Sequence, residues 1–479
     1  MTPEALRDFP QPVHFIGVGG AGMSGVAMVL ARLGVRVTGS DLKASRATRR
    51  LEEAGVPVAI GHDAANLGAA AVVVVSSAIP DTNPELRAAQ AAGLPVLRRA
   101  EMLARLMAMR RGIAVAGTHG KTTTSSMVTH ILSQCGLDPT FLVGGELNDI
   151  GSNAGVGEGE WLVAEADESD RSLLYLRPEV AVVLNIELDH HATYCCLDEV
   201  VDVFRRFVAV LPPEGLLVVA EGTRAAALAG DTRAAVLRVG VGAGDLRAEV
   251  HEVDDRGSRF TVRDEAGAAV EVTLRVPGEH NVVNALAALA AARHAGVPLA
   301  AAAPPLATFS GAARRYQQVG RRGGVLVVDD YAHHPTEIEA TLRAARRGGH
   351  RRVVAVFQPH LYSRTRHLQR EFGRALTLAD RAIVTDVFPA REEPEPGVSG
   401  KLVVDAYLAE RPGGPVAYLP RLGDVVEHLA ATVRPGDLVL TLGAGDVTRV
   451  GEQLLARLGD GARQAAAAGG QEAAPAART

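Results

Sequence analysis

An apolar stretch, a glycine turn and a polar helix-like run follow one another at residues 112–134: GIAVA, GTHG and KTTTSSMVTHILSQ. A buried strand that must turn sharply into a helix at its carboxyl end belongs in a parallel sheet covered by helices. The segment approaches the phosphate-loop pattern G-x-x-x-x-G-K-[ST], but Val115 stands where the first glycine should be. Val115 is expected to remain a strand residue. The portion Gly117, Thr118, His119, Gly120, Lys121, Thr122 and Thr123 still carries the chemistry. The amides of Gly120 to Thr123 face phosphates, Lys121 supplies positive charge, and the Thr122 hydroxyl suits Mg²⁺.

The alternation continues along the chain. VHFIGVGG, VRVTGSD and AAVVVVSSAIP read as strands of a first unit closing near residue 110. WLVAEADESD and VAVVLNIELDH extend the second, and VLVVDD, RVVAVFQ, AIVTDVF, PVAYL and DLVLTLG make a third beginning after FSGAARR. Between residues 246 and 276 the pattern changes to three strands joined by Asp/Gly turns, which predicts an antiparallel addition to the second unit. The expected units are 1–110, 111–308 and 309–462, with 463–479 a loose low-complexity tail.

Composition narrows the class. The net charge of −5 argues against a general nucleic-acid or membrane-surface binder. Three cysteines without a spaced framework suggest a reducing compartment. No secretory pattern opens the chain and no apolar run reaches membrane-span length, so a cytoplasmic protein is expected.

Other motifs gather at strand ends. GVGGAG (Gly17, Gly19, Gly20, Gly22), with Asp41 ending the next strand, fits a turn that brings backbone amides to a diphosphate. The motif does not distinguish a dinucleotide from a UDP-sugar. EADESD places Glu165 and Asp167 on one face beside the phosphate loop, where a cation must offset the charge. Asn185, Glu187, Asp189 and His190 follow a neighbouring strand, and a histidine beside carboxylates suits a metal or a phosphate. In the third unit, DDYAHHP offers Asp330 and His333, and FQPHLYSRT offers His360 and Arg364. Arginine there suits a bidentate carboxylate contact. Asp330 and Ser363 also read as caps of the helices that follow, and Asn281 as the cap of an alanine-rich helix.

Taken together, HFIGVGGAGMSGVA, GTHGKTTT, EADESD, DHHATY, GEHNVVNALAA, FSGAARR, DDYAHHP and FQPHLYSRT resemble the Mur ligase family, in the family's order, over roughly residues 12 to 460. The resemblance implies an α/β fold of three domains. These are a Rossmann-like N-terminal domain, a central P-loop ATPase-like domain with extra antiparallel strands, and a Rossmann-like C-terminal domain. It implies an ATP-dependent ligase that joins L-alanine to the carboxylate of UDP-N-acetylmuramate, with no nucleic-acid or membrane partner, as a monomer or weak homodimer. By resemblance, Gly17, Gly19, Gly20, Gly22, Asp41 and Ser76 surround the UDP-sugar. His280, Asn281, Asn284, Arg315 and Asp330 join the phosphate loop around ATP. Thr122, Glu165 and His190 hold Mg²⁺, and Lys121, His190, His333, His360 and Arg364 serve the reaction.

The chain departs from the family pattern Asp-His-x-Asp-x-Tyr, carrying Ala192 at the second aspartate. CCLDEVVDVFRRF also offers no lysine for the carbamylation that several relatives use. Within the class, a muropeptide-recycling ligase is the alternative; GVGGAG argues against a folate-type ligase. Outside it stand an NAD-dependent oxidoreductase and a nucleotide sensor without turnover.

Overall fold

The computed structural model describes residues 9–469 apart from 77 and 391. Three sheets divide the chain. The first has five parallel strands in the spatial order Val58–Ile60, Val37–Asp41, Val13–Ile16, Val72–Val75, Val96–Arg98. The strand order reverses at Val13–Ile16, so the turn Gly17–Gly20 opens into the crevice at the switch point. Gly17 turns with φ +78°, a conformation that favours glycine.

The central sheet has ten strands, and Arg111–Ala116 lies in its middle between Val180–Val183 and Trp161–Glu165, parallel to both. Its four valine- and alanine-rich inner residues are fully buried, as a strand covered on both faces requires. Leu246–Val253, Ser258–Asp264 and Ala269–Leu274 pair antiparallel at one edge, as the change of sequence pattern predicts. The third sheet has six strands, all parallel except the edge strand Gln317–Arg322.

Helix Ala21–Arg32, which leaves the first glycine turn, also packs against the central domain. A Cβ on Gly25 would lie 3.3 Å from the Ala154 Cβ, so this close approach tolerates little more than a hydrogen. The first two domains therefore share one continuous core that includes Val26, Leu142 and Ala154.

Three local readings are corrected. Helix Pro335–Arg346 is capped by His334, whose Nδ1 accepts from the Thr336 amide, and not by Asp330. Pro335 occupies the first helical position, so the cap must be the residue before it. Helix Tyr362–Leu376 begins before Ser363, whose hydroxyl instead donates to Glu392. Asn281 lies inside helix Glu279–His294 and donates from Nδ2 to the Pro277 carbonyl at 2.7 Å. The final helix, Thr448–Gly469, runs past residue 462 into the span read as a tail, consistent with its alanine-rich sequence. Residues 470–479 of that span lie outside those described.

Candidate active site

Because Arg111–Ala116 is central, its glycine loop emerges between the ends of two neighbouring strands, and those ends hold it. The Asn185 side chain accepts from the His119 amide at 2.7 Å and donates to the His119 carbonyl at 3.1 Å. The Thr118 hydroxyl accepts from the Glu187 amide at 2.8 Å. Gly120 has φ +84°, and a Cβ there would meet Asn284 Oδ1 at 2.8 Å. Asn284 and Asn281 are linked at 2.9 Å, so this pair forms the wall behind the loop.

On the other side, the Thr122 hydroxyl donates to Glu165 Oε2 at 2.9 Å, and the Gly144 amide donates to the same oxygen at 2.8 Å. A Cβ on Gly144 would stand 2.4 Å from Glu165 Oε2. Gly144 is thus a cradle that lets the carboxylate lie beside the threonine hydroxyl. Hydroxyl and carboxylate oxygens suit Mg²⁺, which takes hard oxygen ligands, so these residues fit that ion.

The cation now facing the acidic cluster is Lys121. Its Nζ donates to the carbonyls of Gly117 (2.7 Å) and Thr118 (3.1 Å) and to both oxygens of Glu168 (2.8 and 3.1 Å). Burial disfavours the ammonium, but Glu168, Asp167 and Glu165 outweigh it and raise its pKa above the usual lysine range. Glu168 itself is buried, and its backbone carbonyl accepts from the Tyr194 hydroxyl. His190, in the left-handed region at φ +54°, points Nε2 at Glu168 (3.6 Å) and Asp189 (3.8 Å).

The third domain closes the site. Arg364 donates from Nε to Asp189 Oδ1 at 2.9 Å and from Nη2 to Oδ2 at 3.2 Å, and its Nη1 lies 3.2 Å from His360 Nδ1. His119 stands between two carboxylates, with Nε2 3.4 Å from Glu187 and Nδ1 3.5 Å from Glu337. Burial opposes its charge, but the two glutamates raise its pKa to about 9, so it is an imidazolium at neutral pH. Its ring packs 4.6 Å from that of His334. Ligand atoms of His119, Glu187 and His334 lie within 4.8 Å of one another. A proton on His119 offsets the charge of Glu187 there.

His333 behaves oppositely. Burial lowers its pKa to about 3, against the pull of Glu337, and leaves it neutral. Its Nδ1 faces the Tyr331 carbonyl (3.0 Å) and Glu337 (3.4 Å), both acceptors, so the proton sits on Nδ1 and the Nε2 lone pair is free to accept. Arg315 lies over the Tyr331 ring and 3.6 Å from Glu337. Asp330 is buried and accepts from the amides of Tyr316 (2.8 Å) and Ala332 (2.7 Å). Burial pushes its pKa up to about 6.

These groups surround one cavity of about 980 Å³ walled by all three domains. Gly20, Gly22, Ser76 and Arg99 contribute from the first. Thr118 to Thr122, Glu165, Asp167 and His190 come from the second, and Arg315, His333, His360 and Arg364 from the third. Gly17, Gly19 and Asp41 stand behind this wall. The Gly19 amide donates to Asp41 Oδ2 at 2.8 Å, so Asp41 shapes the turn. His280 is exposed in the first turn of its helix. Sequence reasoning counts Glu168 only as one acid of the cluster that needs a cation, and gives no role to Glu337 or Arg99. For Arg99 only the fold supplies the signal: a Cβ on Gly22 would stand 3.0 Å from its guanidinium, so that glycine makes room for a cation.

Three family models match most of the described residues. Residues 12–111 match the Mur ligase family catalytic domain, 115–292 the Mur ligase middle domain, and 314–445 the Mur ligase glutamate ligase domain. A UDP-N-acetylmuramate–L-alanine ligase of Rubrobacter xylanophilus is 56% identical over 449 residues, covering 93% of this chain and 100% of that protein. A UDP-N-acetylmuramate–alanine ligase of Thermotoga maritima superposes with TM-score 0.79 at 28% identity, covering 94% and 99%. A murein peptide ligase of Psychrobacter arcticus gives 0.71 at 29% identity, covering 94% and 98%.

Proposed function

The chain belongs to the Mur ligase family, and from that premise we propose that it joins L-alanine to the carboxylate of UDP-N-acetylmuramate, converting ATP to ADP and phosphate. The observation that carries this reading is the single cavity in which a phosphate loop, a glycine turn and an arginine–histidine group from three domains face one another. A nicotinamide enzyme would need the glycine turn alone and would leave Lys121, Thr122 and Glu165 without a role.

A free carboxylate does not acylate an amine at neutral pH. The muramoyl carboxylate oxygen attacks the γ-phosphorus of ATP, ADP leaves, and an acyl phosphate results. The alanine nitrogen then attacks the acyl carbon, and the tetrahedral intermediate expels phosphate to leave the amide. The protein's part is positioning and charge neutralisation. Gly20, Gly22 and Ser76 receive the UDP-sugar, with Gly17, Gly19 and Asp41 setting the turn. The loop from Gly117 to Thr123 holds the triphosphate, and Lys121 exchanges Glu168 for phosphate oxygens. Arg315, which lines the cavity, faces the nucleotide, and His280, Asn281, Asn284 and Asp330 are assigned to the same side of the site. Thr122 and Glu165, with His190 beside Glu168, would hold Mg²⁺, which when bound would offset phosphate charge. His333, through its free Nε2, and His360 and Arg364 orient the incoming amino acid. Neutral His333 accepts a hydrogen bond from the alanine nitrogen.

We place this reaction in the cytoplasm, in peptidoglycan precursor synthesis, by a monomer or weak homodimer. Among the described residues no helix is long and apolar enough to cross a membrane, and the three cysteines are free. The test is ADP release measured with UDP-N-acetylmuramate, ATP and a panel of amino acids plus one tripeptide. Turnover with L-alanine above all others supports the reading. Turnover with the tripeptide alone replaces it by a recycling ligase.

A further inference from the structure

Glu337 lies in the first turn of helix Pro335–Arg346, and its two oxygens have different tasks. Oε2 serves its own domain: it accepts from the amides of His333 (3.0 Å) and His334 (3.2 Å), completing a capping box. Oε1 faces outward to other segments. His119 Nδ1 of the phosphate loop is 3.5 Å away, and Arg315 Nη1, from the start of the third domain, is 3.6 Å away. The side chain is only 12% exposed.

A capping box needs one neutral acceptor, which glutamine provides as well as glutamate. It does not explain a buried carboxylate whose second oxygen meets two cations from outside the helix. A buried charge of this kind is costly unless paired, and the partners its outer oxygen meets are His119 and Arg315. The first-turn position reinforces the choice of an anion.

We propose that Glu337 is a positioning residue that ties the phosphate loop to the third domain through His119, with Arg315 holding the same carboxylate oxygen from within that domain, and so fixes His333 relative to the bound nucleotide. The tie is independent of the reaction; its kinetic consequence rests on the ligase reading above. Glu337 touches no reacting atom. The other groups facing His119 are Glu187 at 3.4 Å and the His334 ring at 4.6 Å. Glu337 also faces the His333 ring nitrogen at 3.4 Å, and its charge acts on His280, His334 and Asp330.

Two experiments test it. In the full chain, Glu337→Gln keeps the cap and removes the charge. The expected result is a fall in kcat of about 10²-fold, the scale of a small misplacement, with the KM for ATP changed under about threefold. The basic limb of the pH profile moves to lower pH, because His119 loses one of its two carboxylates. His119→Asn added to Glu337→Gln costs less than it does alone, since both act through one contact. Wild-type kcat with an unmoved pH profile, or fully additive losses, overturns the proposal.

The second experiment uses the unmodified chain and needs no turnover. Nitrogen NMR of the His119 ring should show an imidazolium that persists to about pH 9. Titration near the ordinary histidine value of about 6.5 overturns the tie even if the ligase reaction is present. Conversely, an imidazolium that persists to higher pH in the unmodified chain than in Glu337→Gln, found without ADP release, upholds the tie and removes the ligase reading.

Discussion

Arg364 and Asp189 meet across two domains in a bidentate pair, Nε to Oδ1 at 2.9 Å and Nη2 to Oδ2 at 3.2 Å, with each side chain 4% exposed. The pair holds the third domain against the strand end that carries His190. Burial opposes the Asp189 charge, yet Arg364 and His190 hold its pKa well below the usual carboxylate range. Removing one partner leaves the other buried and unpaired, a cost of about 3–5 kcal/mol. Asp189→Asn is therefore expected to lower kcat/KM for alanine by at least about 10²-fold. A double-mutant cycle with Arg364→Gln, read from alanine kinetics, should give a coupling above about 1.5 kcal/mol. Additive effects would show that the pair does not act as a unit.

Lys121 now spans Glu168 and two loop carbonyls. Lys121→Ala leaves Glu168 and Asp167 without their cation and the loop without its charge. The expected outcome is a loss of about 10²–10³ in kcat for ADP release, the scale seen when one preorganised charge donor is removed. ATP affinity measured by calorimetry should also fall. Unchanged turnover would show that the phosphates do not lie at this loop.

Gly144 tests the cation site without touching an ionisable group. In Gly144→Ala the added methyl would stand 2.4 Å from Glu165 Oε2, so the carboxylate must leave Thr122. The Mg²⁺ concentration giving half-maximal rate should rise roughly tenfold or more, about 1.4 kcal/mol, while the melting temperature changes little. An unchanged Mg²⁺ dependence would move the ion elsewhere.

A second buried carboxylate governs acid stability. Glu85 accepts from Ser40 Oγ (2.6 Å), Asn66 Nδ2 (2.7 Å) and the Asp63 amide (3.2 Å), with His14 and His62 ring nitrogens each at 3.1 Å. Burial raises its pKa, but the bonds to His14, Ser40, Asn66 and His62 prevail and lower it to about 2. The folded value lies below the unfolded one, so this stability is complete above pH about 4.5 and lost as pH falls toward 2. Glu85→Gln should cost about 2–4 kcal/mol at pH 7 in urea unfolding. The gap from wild type should close as the pH falls through that window. A gap independent of pH would show that the charge of Glu85 is not what matters.

What the sequence reveals about this site is what lies within a few residues of a strand end. The two glycine turns, Lys121, Thr122 and the Glu165–Asp167 alternation are local patterns, each fixed by the strand before and the helix after. The change to antiparallel strands is equally local, since alternation and turns write it directly. Pairings between distant segments are not legible in this way. Asp189 and Arg364 are separated by 175 positions, and only the closing of two domains brings them together. Glu337 reads from sequence as an ordinary first-turn acid, because its tie to His119 depends on the third dimension. Asp330 and Ser363 illustrate the converse error: residue types that favour caps were credited with caps, while a histidine before proline took one and tertiary partners took the others.

The central claim is that a carboxylate on the UDP-sugar is activated by ATP and captured by alanine. Mass spectrometry of the nucleotide-sugar product, with ADP counted in the same reaction and each substrate omitted in turn, tests it most directly. One UDP-N-acetylmuramoyl-L-alanine should form per ADP, and none when any substrate is missing. ADP release without the amide, or at the same rate without UDP-N-acetylmuramate, would contradict it.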